Sequence, residues 1–391
     1  MTFQRIPKDE LSGRSRFSIF LTSKDDVSRK SNYGLYGWEL LKVGGERIAQ
    51  KFEYCIRPNI ARIESNKNVI PVFPLGENLD NYSGNSHPKI SISFDVSKDF
   101  SYRVQGLQKF HYFWGKDERD EVYYERPVGL GVTLKLFLKD LLRDTKLVVN
   151  DAFFRYVRVK VDSVYPPGVH LADILISNLL YRGYAPVHCA AICSPAGEGM
   201  LLFAPPDTGK TLTTFAALRQ GFHYLAEDIA FVDSEHVYSN PHTATFLHNK
   251  EFASQYVRTA TDPVSSIIKK VPLLSSYAKT PAVSVSSMAK DFQIDEEAPI
   301  RRIIILDRGK KHIERISKEE AARRILIINR NEFSYHKNAL LFAYSYFNPS
   351  FNLNKMMKIE QEIIDTMASR ADCFLAKTSD AREYFNLIAG L

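Results

Sequence analysis

Cysteine is scarce in this chain. Its 391 residues include four, Cys55, Cys189, Cys193 and Cys373, too few and too scattered for a disulfide framework. The one close pair, Cys189 and Cys193, lies in the run His188-Cys-Ala-Ala-Ile-Cys193, which reads as a strand. Residues four apart in a strand share a face but stand too far apart for an S–S bond. No Cys/His spacing of a zinc module occurs. Four buried free thiols in a reducing compartment are therefore expected. Long apolar runs are missing too, and none reaches the length of a membrane span. The first fifteen positions are polar and charged, without the apolar segment of a secretory signal. These absences predict a soluble, cytoplasmic protein with no membrane partner. There is no internal repeat, which excludes a repeat array, and no run of five or more Lys/Arg.

What remains is an ordinary globular composition, 45% hydrophobic and 25% charged. The net charge of +7 suits an anionic partner such as a nucleotide or an acidic peptide. Because the basic residues are dispersed, charge alone argues weakly for nucleic acid. The length suffices for two domains and a sizeable core.

Two regions are expected. Residues 1–165 read as a β-rich N-terminal domain, accessory or acceptor-binding. A strand is expected at Phe17–Leu21 and a β-like text from Tyr33 to Val161. Gly37–Val43, Lys51–Ile56, Lys89–Asp95 and Phe154–Val161 alternate apolar and polar residues. Gly44-Gly45 is a hairpin candidate. Asn78–Lys89 is a turn-rich loop, and Leu130–Arg143 fits either a helix or a strand pair. The aromatics of Phe110–Trp114 and Val122–Tyr124 fit a core better than a base-stacking surface.

Pro166-Pro167-Gly168 marks the boundary. Residues 166–391 read as a P-loop domain with a helical C-terminal part. His170–Tyr181 has helical spacing and Gly183 ends it. Ser234–Pro299 is irregular, with one helix expected at Val264–Lys270. Ile300–Asp307 reads as a buried strand. Ser317 with Glu320 forms a capping box opening a helix to about Asn329. Lys337–Leu391 reads as mostly helical, interrupted at Pro349.

The stretch that organises the second region is Gly199–Gly221. It reads as a short buried strand, a loop broken by Pro205, Pro206, Asp207 and Gly209, and a helix from Lys210 that Gly221 stops. Strand and helix bracket Ala204-x4-Gly209-Lys210-Thr211, the phosphate-binding P-loop pattern with Ala204 in place of its first Gly. A loop ending at a helix N-terminus aims several backbone N–H groups at one anion. Pro205, Pro206, Asp207, Thr208, Gly209, Lys210, Thr211 and Leu212 are thus the predicted nucleotide-binding residues. Lys210 reaches toward the β/γ-phosphates, and Thr211 offers a hydroxyl to Mg²⁺. Phosphoryl transfer also needs a carboxylate near the metal and a group that orients the acceptor. Glu227-Asp228, which follow Lys210 by one helix and one turn, are the best candidates.

Together, His188-Cys-Ala-Ala-Ile, the P-loop segment and Gln220-Gly-Phe-His-Tyr-Leu-Ala-Glu227-Asp228 resemble the catalytic core of the HPr kinase family, related to phosphoenolpyruvate carboxykinases. The likeness covers Pro186–Asp233. It implies an α/β fold with α+β tendency, a P-loop core of mixed sheets, and a site in which Lys210 and Thr211 bind the nucleotide phosphates and Mg²⁺. On the same basis Glu227 stands at the general-base position, Asp228 near the metal and His188 at the active-site histidine. Arg301, Arg302 and Arg308 are candidates for a phosphate-contacting arginine. Two departures stand out: Ala204 for Gly, and Glu227 for Asp. The family's downstream signature is absent, so the resemblance implies an acceptor other than the phosphocarrier HPr.

The expected function is an ATP-dependent, Mg²⁺-requiring kinase transferring the γ-phosphoryl group to a hydroxyl, a serine of a peptide or protein. A catalytically inactive nucleotide-sensing P-loop protein is the alternative, and a nucleic-acid-binding P-loop ATPase a third reading. Homo-oligomerisation is left open.

Overall fold

Alternating residues build the first half of the described chain. The computed structural model describes residues 51–69, 75, 77–78, 87–117, 119–129, 131–157, 165–241, 285 and 292–391. The chain divides into two units, Met1–Ile48 and Ala49–Leu391, and all described residues belong to the second. The features expected at Phe17–Leu21, Gly37–Val43, Gly44-Gly45 and Val264–Lys270 lie outside them, as does most of the Asn78–Lys89 loop.

Among the described residues nine strands form the first sheet: β1 (Phe52–Ile56), β2 (Ala61–Ser65), β3 (Glu77–Asn78), β4 (Ile90–Ser97), β5 (Gln108–Phe110), β6 (Phe113–Gly115), β7 (Glu121–Gly129), β8 (Val132–Lys139) and β9 (Asp144–Asn150). Their order is β3-β1-β2-β4-β9-β8-β7-β6-β5. β4 pairs in parallel with β2 and β9, and the remaining pairs are antiparallel. Ile90, Ile92, Phe94 and Val96 of β4 point to one buried side, as period-2 patterning requires. Of the predicted aromatic set, Phe113, Tyr123 and Tyr124 are buried. Within the ambiguous Leu130–Arg143 stretch, Val132–Lys139 is strand β8 and residues 140–143 connect it to β9.

The strand expected from Phe154 is not formed at its start. Asp151–Tyr156 is helix α1. The Asn150 side-chain oxygen Oδ1 accepts from the Phe153 N–H at 3.1 Å, and Asp151 adds an acid to the first turn. This cap overrides the local alternation. Residues 158–164 are outside the described set.

Helix α2 (Pro167–Tyr181) follows. It opens on Pro at its first position, and nearly all of it is buried. A helix apolar on all sides belongs inside. Accordingly α2 touches β4 of the first sheet and the first strand of the second. One apolar cluster runs from Tyr54 and Phe94 through Leu171 and Leu175 to Leu375.

The second sheet contains β10 (Ala185–Val187), β11 (Cys189–Cys193), β12 (Gly199–Phe203), then, after helix α3 (Lys210–Leu218), β13 (His223–Ala226), β14 (Ala230–Val232), β15 (His236–Tyr238), β16 (Glu297–Arg308) and β17 (His312–Arg315). Helices α4 (Lys318–Glu332), α5 (Ala339–Phe347) and α6 (Leu353–Arg370) lead to strand β18 (Asp372–Thr378) and helix α7 (Tyr384–Ile388). The order is β10-β14-β15-β16-β12-β11-β13, with β18 parallel to β16 and antiparallel to β17. Ser317 caps α4 as its capping box predicts, accepting from the Glu320 N–H at 3.1 Å. The largely helical reading of the C-terminus missed β18. Its run Cys373-Phe-Leu-Ala376 is buried against β16, and seven residues are too short for sequence periodicity to separate strand from helix. A mixed α/β architecture with two mixed sheets is the result.

Candidate active site

Strand direction gathers the predicted residues at one edge. β12 runs parallel to β16 and antiparallel to β11, which in turn runs antiparallel to β13. The ends of β12, β13, β16 and β18 therefore face the same way as the start of β11. His188 stands directly before Cys189, which pairs with Phe203, the last residue of β12. Ala226 lies level with Ala191, so the chain carries Glu227 and Asp228 onward to that edge.

The loop itself is tightly wound. Asp207 and Gly209 have φ of 60° and 126°, and Gly209 caps α3. A Cβ at Gly209 would sit 2.7 Å from the Ala381 Cβ, so the glycine is required twice, for φ and for space. Ala204, the departure from the pattern, is buried. Its carbonyl accepts from Lys210 Nζ at 2.8 Å. That contact uses backbone, so a methyl group is tolerated there.

Lys210 Nζ also lies 3.0 Å from His188 Nε2. An ammonium only donates, so Nε2 is the acceptor and the imidazole proton sits on Nδ1. Nδ1 in turn is 3.5 Å from Asp228 Oδ1. Burial, reinforced by the Lys210 ammonium, holds the His188 imidazole below its ordinary value. Burial likewise lowers Lys210. The Thr211 hydroxyl donates to Glu227 Oε1. Glu227, then, partners the P-loop hydroxyl, and Asp228 partners the histidine.

These groups line one cavity of about 700 Å³. Pro206 through Leu212, His188, Glu227 and Asp228 all border it. Pro205 is exposed and does not border it. Of the three candidate arginines, Arg308 comes to the loop, donating from its guanidinium to the Asp207 carbonyl at 2.7 Å. Arg302 pairs with Glu198 at 3.1 Å, at the other end of β12, and Arg301 is exposed.

Sequence reasoning missed the opposite wall, formed by Asp173 of α2 and by Glu332, Phe333 and Ser334 at the end of α4. Asp173 accepts from Ser334 Oγ at 2.9 Å and from Asn338 Nδ2 at 2.6 Å. Burial pushes its carboxyl up to about 7. Burial also pushes neighbouring His170 down to about 3. The signal was present: an acid inside the apolar run Val169–Leu180 is expensive unless partnered. Asn329 was missed as well. Its side-chain oxygen accepts from the His188 N–H at 3.0 Å, and its amide donates to the Pro186 carbonyl at 3.0 Å and to Glu360 at 3.2 Å. It fixes the break between β10 and β11 where His188 sits. No local pattern marks such a residue.

The donor set beside the loop fits a hard divalent cation. The Thr211 hydroxyl and the Glu227 carboxylate are both oxygen ligands of the kind Mg²⁺ takes. No helix among the described residues is long and apolar enough to cross a membrane. All four cysteines are buried and free, as their spacing predicts. No protein-family model matches the chain, and no curated protein matches it.

Proposed function

We propose that the chain is an ATP-dependent, Mg²⁺-requiring kinase that transfers the γ-phosphoryl group to a hydroxyl, that of a serine in a peptide or protein. The observation carrying this reading is the convergence of His188, Lys210, Thr211, Glu227 and Asp228 on one cavity from separate strand ends. The resemblance of this segment to the HPr kinase family supports the same reaction class. Lys210 and the N–H groups leading into α3 receive the phosphates, and Arg308 steadies the loop through Asp207. Thr211 and Glu227 would hold Mg²⁺, which supplies charge neutralisation at the phosphates. Asp228, backed by His188, accepts the proton of the acceptor hydroxyl and releases it to solvent. The geometry thus favours exchanging the roles that the resemblance implies for the two acids. With little covalent chemistry asked of the protein, positioning and charge supply the catalysis.

The test is γ-phosphate transfer from ATP to a serine-containing peptide library by wild type, Lys210→Ala and Glu227→Ala. Turnover in wild type alone is expected. ATP binding without transfer to any peptide, small hydroxyl compound or water would overturn the proposal. It would favour the second reading, a nucleotide-sensing protein, for which Lys210 folded onto Ala204 and His188 is the supporting observation.

A further inference from the structure

We propose that Cys193, His223 and Asp295 form a zinc site at the end of the second sheet opposite the P-loop. Three separate segments meet there. Cys193 is the last residue of β11 and pairs directly with His223, the first of β13. Asp295 is delivered by the bridge Tyr224↔Ile294 and by backbone bonds from Tyr224 N to Gln293 O at 2.8 Å and from Asp295 N to Tyr224 O at 3.0 Å. Cys193 Sγ, His223 Nδ1 and an Asp295 carboxylate oxygen all lie within 4.8 Å of one another, and no other such trio occurs among the described residues.

Donor chemistry selects the metal. A thiolate, an imidazole and a carboxylate together suit Zn²⁺, whereas Mg²⁺ and Ca²⁺ avoid sulfur. Three protein ligands leave the fourth tetrahedral position to water. His223 Nδ1 is 2.9 Å from Asp295 Oδ2, a direct hydrogen bond whose two atoms an ion entering between them would take over as ligands. Gln293 Nε2 donates to the other carboxylate oxygen, Oδ1, at 2.8 Å. This outer bond aims Oδ2 inward, as second partners of metal ligands do. The thiol is buried while the His223 and Asp295 side chains are 26% and 18% exposed, so the ion has an entry side.

Metal entry has a definite proton balance. The Cys193 S–H bond breaks, its proton leaves to solvent, and an S–Zn bond forms. The imidazole binds through Nδ1 with its proton on Nε2. Because the ligand is the thiolate, uptake releases the Cys193 proton to solvent. The chain then gains a clamp between the β11–β13 edge and the segment leading into β16, the strand parallel to β12. From Gly199, opposite Cys193, to the P-loop end of β12 is about 13 Å by strand rise. The site is thus separate from the phosphate cavity, and its reality does not depend on kinase activity.

The experiment is titration of the metal-free, reduced full chain with Co²⁺, then with Zn²⁺. One equivalent of Co²⁺ should give a thiolate-to-cobalt charge-transfer band with tetrahedral visible bands, and Zn²⁺ should erase both. Cys193→Ser should lose the charge-transfer band, Cys373→Ser should keep it, and His223→Ala and Asp295→Asn should weaken uptake more than ~10-fold. Gln293→Ala should weaken it about 10-fold. Zn²⁺ should raise the melting temperature of wild type and not of Cys193→Ser. No charge-transfer band in wild type, or an unchanged band in Cys193→Ser or in His223→Ala, would overturn the site.

Discussion

Lys210 Nζ stands 3.0 Å from His188 Nε2 and 2.8 Å from the Ala204 carbonyl. The lysine that would meet phosphate is thus held by the strand before it and by the histidine of the neighbouring strand. Both contacts are buried, and both depend on the same sheet edge.

His188 should titrate below 6.5, its ordinary value, because burial and Lys210 both disfavour the imidazolium. Lys210→Met removes one of those causes, so the titration should move upward. Histidine NMR across pH 4–8 reads this directly, and an unmoved midpoint would show that Lys210 does not act on the ring.

Glu227 and Asp228 should respond differently to substitution. Glu227→Gln should raise the Mg²⁺ concentration needed for half-maximal transfer. Asp228→Asn should lower kcat by ~10²–10⁴-fold, the range of a lost general base, with little change in Mg²⁺ demand. Transfer assays at varied Mg²⁺ separate the two, and the opposite pattern would restore the roles implied by the resemblance.

Gly209→Ala meets two penalties, φ of 126° and a 2.7 Å approach to the Ala381 Cβ. Backbone strain of this kind costs about 1–3 kcal/mol. Combining it with Ala381→Gly should recover the steric part only. Denaturant unfolding of the single and double variants measures the split, and full recovery would mean that φ carries no cost there.

Asn329→Leu should destabilise the fold by about 1–3 kcal/mol for each buried group left unpaired. Those groups are the His188 N–H, the Pro186 carbonyl and Glu360. Activity should fall further than stability explains, since His188 loses its anchor. Urea unfolding and transfer rates on the same samples decide it.

Asp173 and His170 should pull the stability profile in opposite directions. The folded Asp173 keeps its proton up to about 7 against an ordinary 3.8, so its contribution falls as pH rises through that window. The folded His170 takes a proton only near 3 against an ordinary 6.5. Its contribution is therefore full above 6.5 and lost as pH falls toward 3. The two offset each other between about 4 and 6.5. Asp173→Asn should leave the rising limb alone, so stability climbs with pH there more steeply than in wild type. Denaturation midpoints from pH 4 to 7 test this, and superimposable profiles would sink it.

The local parts of the site were legible early. Strand β12 and helix α3, the α4 cap and the β16 run follow from short-range rules, in which turn residues, caps and apolar spacing act within a few positions. Where two local rules competed, at Phe154, the Asn150 cap won over alternation. β18 was missed because burial on both faces erases the period-2 signal. Asp173 and Asn329 were missed because their partners lie far along the chain.

By itself the sequence determined that a loop with the P-loop sequence pattern sits between a buried strand and a helix, with two acids one helix and one turn after Lys210. Spacing along the chain is enough for that, because strand, loop and helix are contiguous. Only the tertiary structure decided that Glu227 meets Thr211 while Asp228 faces His188, that Arg308 rather than Arg302 reaches the loop, and that Cys193, His223 and Asp295 stand together. Those pairings follow from the direction and register of strands β11, β12, β13 and β16, and register between distant strands is set by the whole core rather than by any local run of residues.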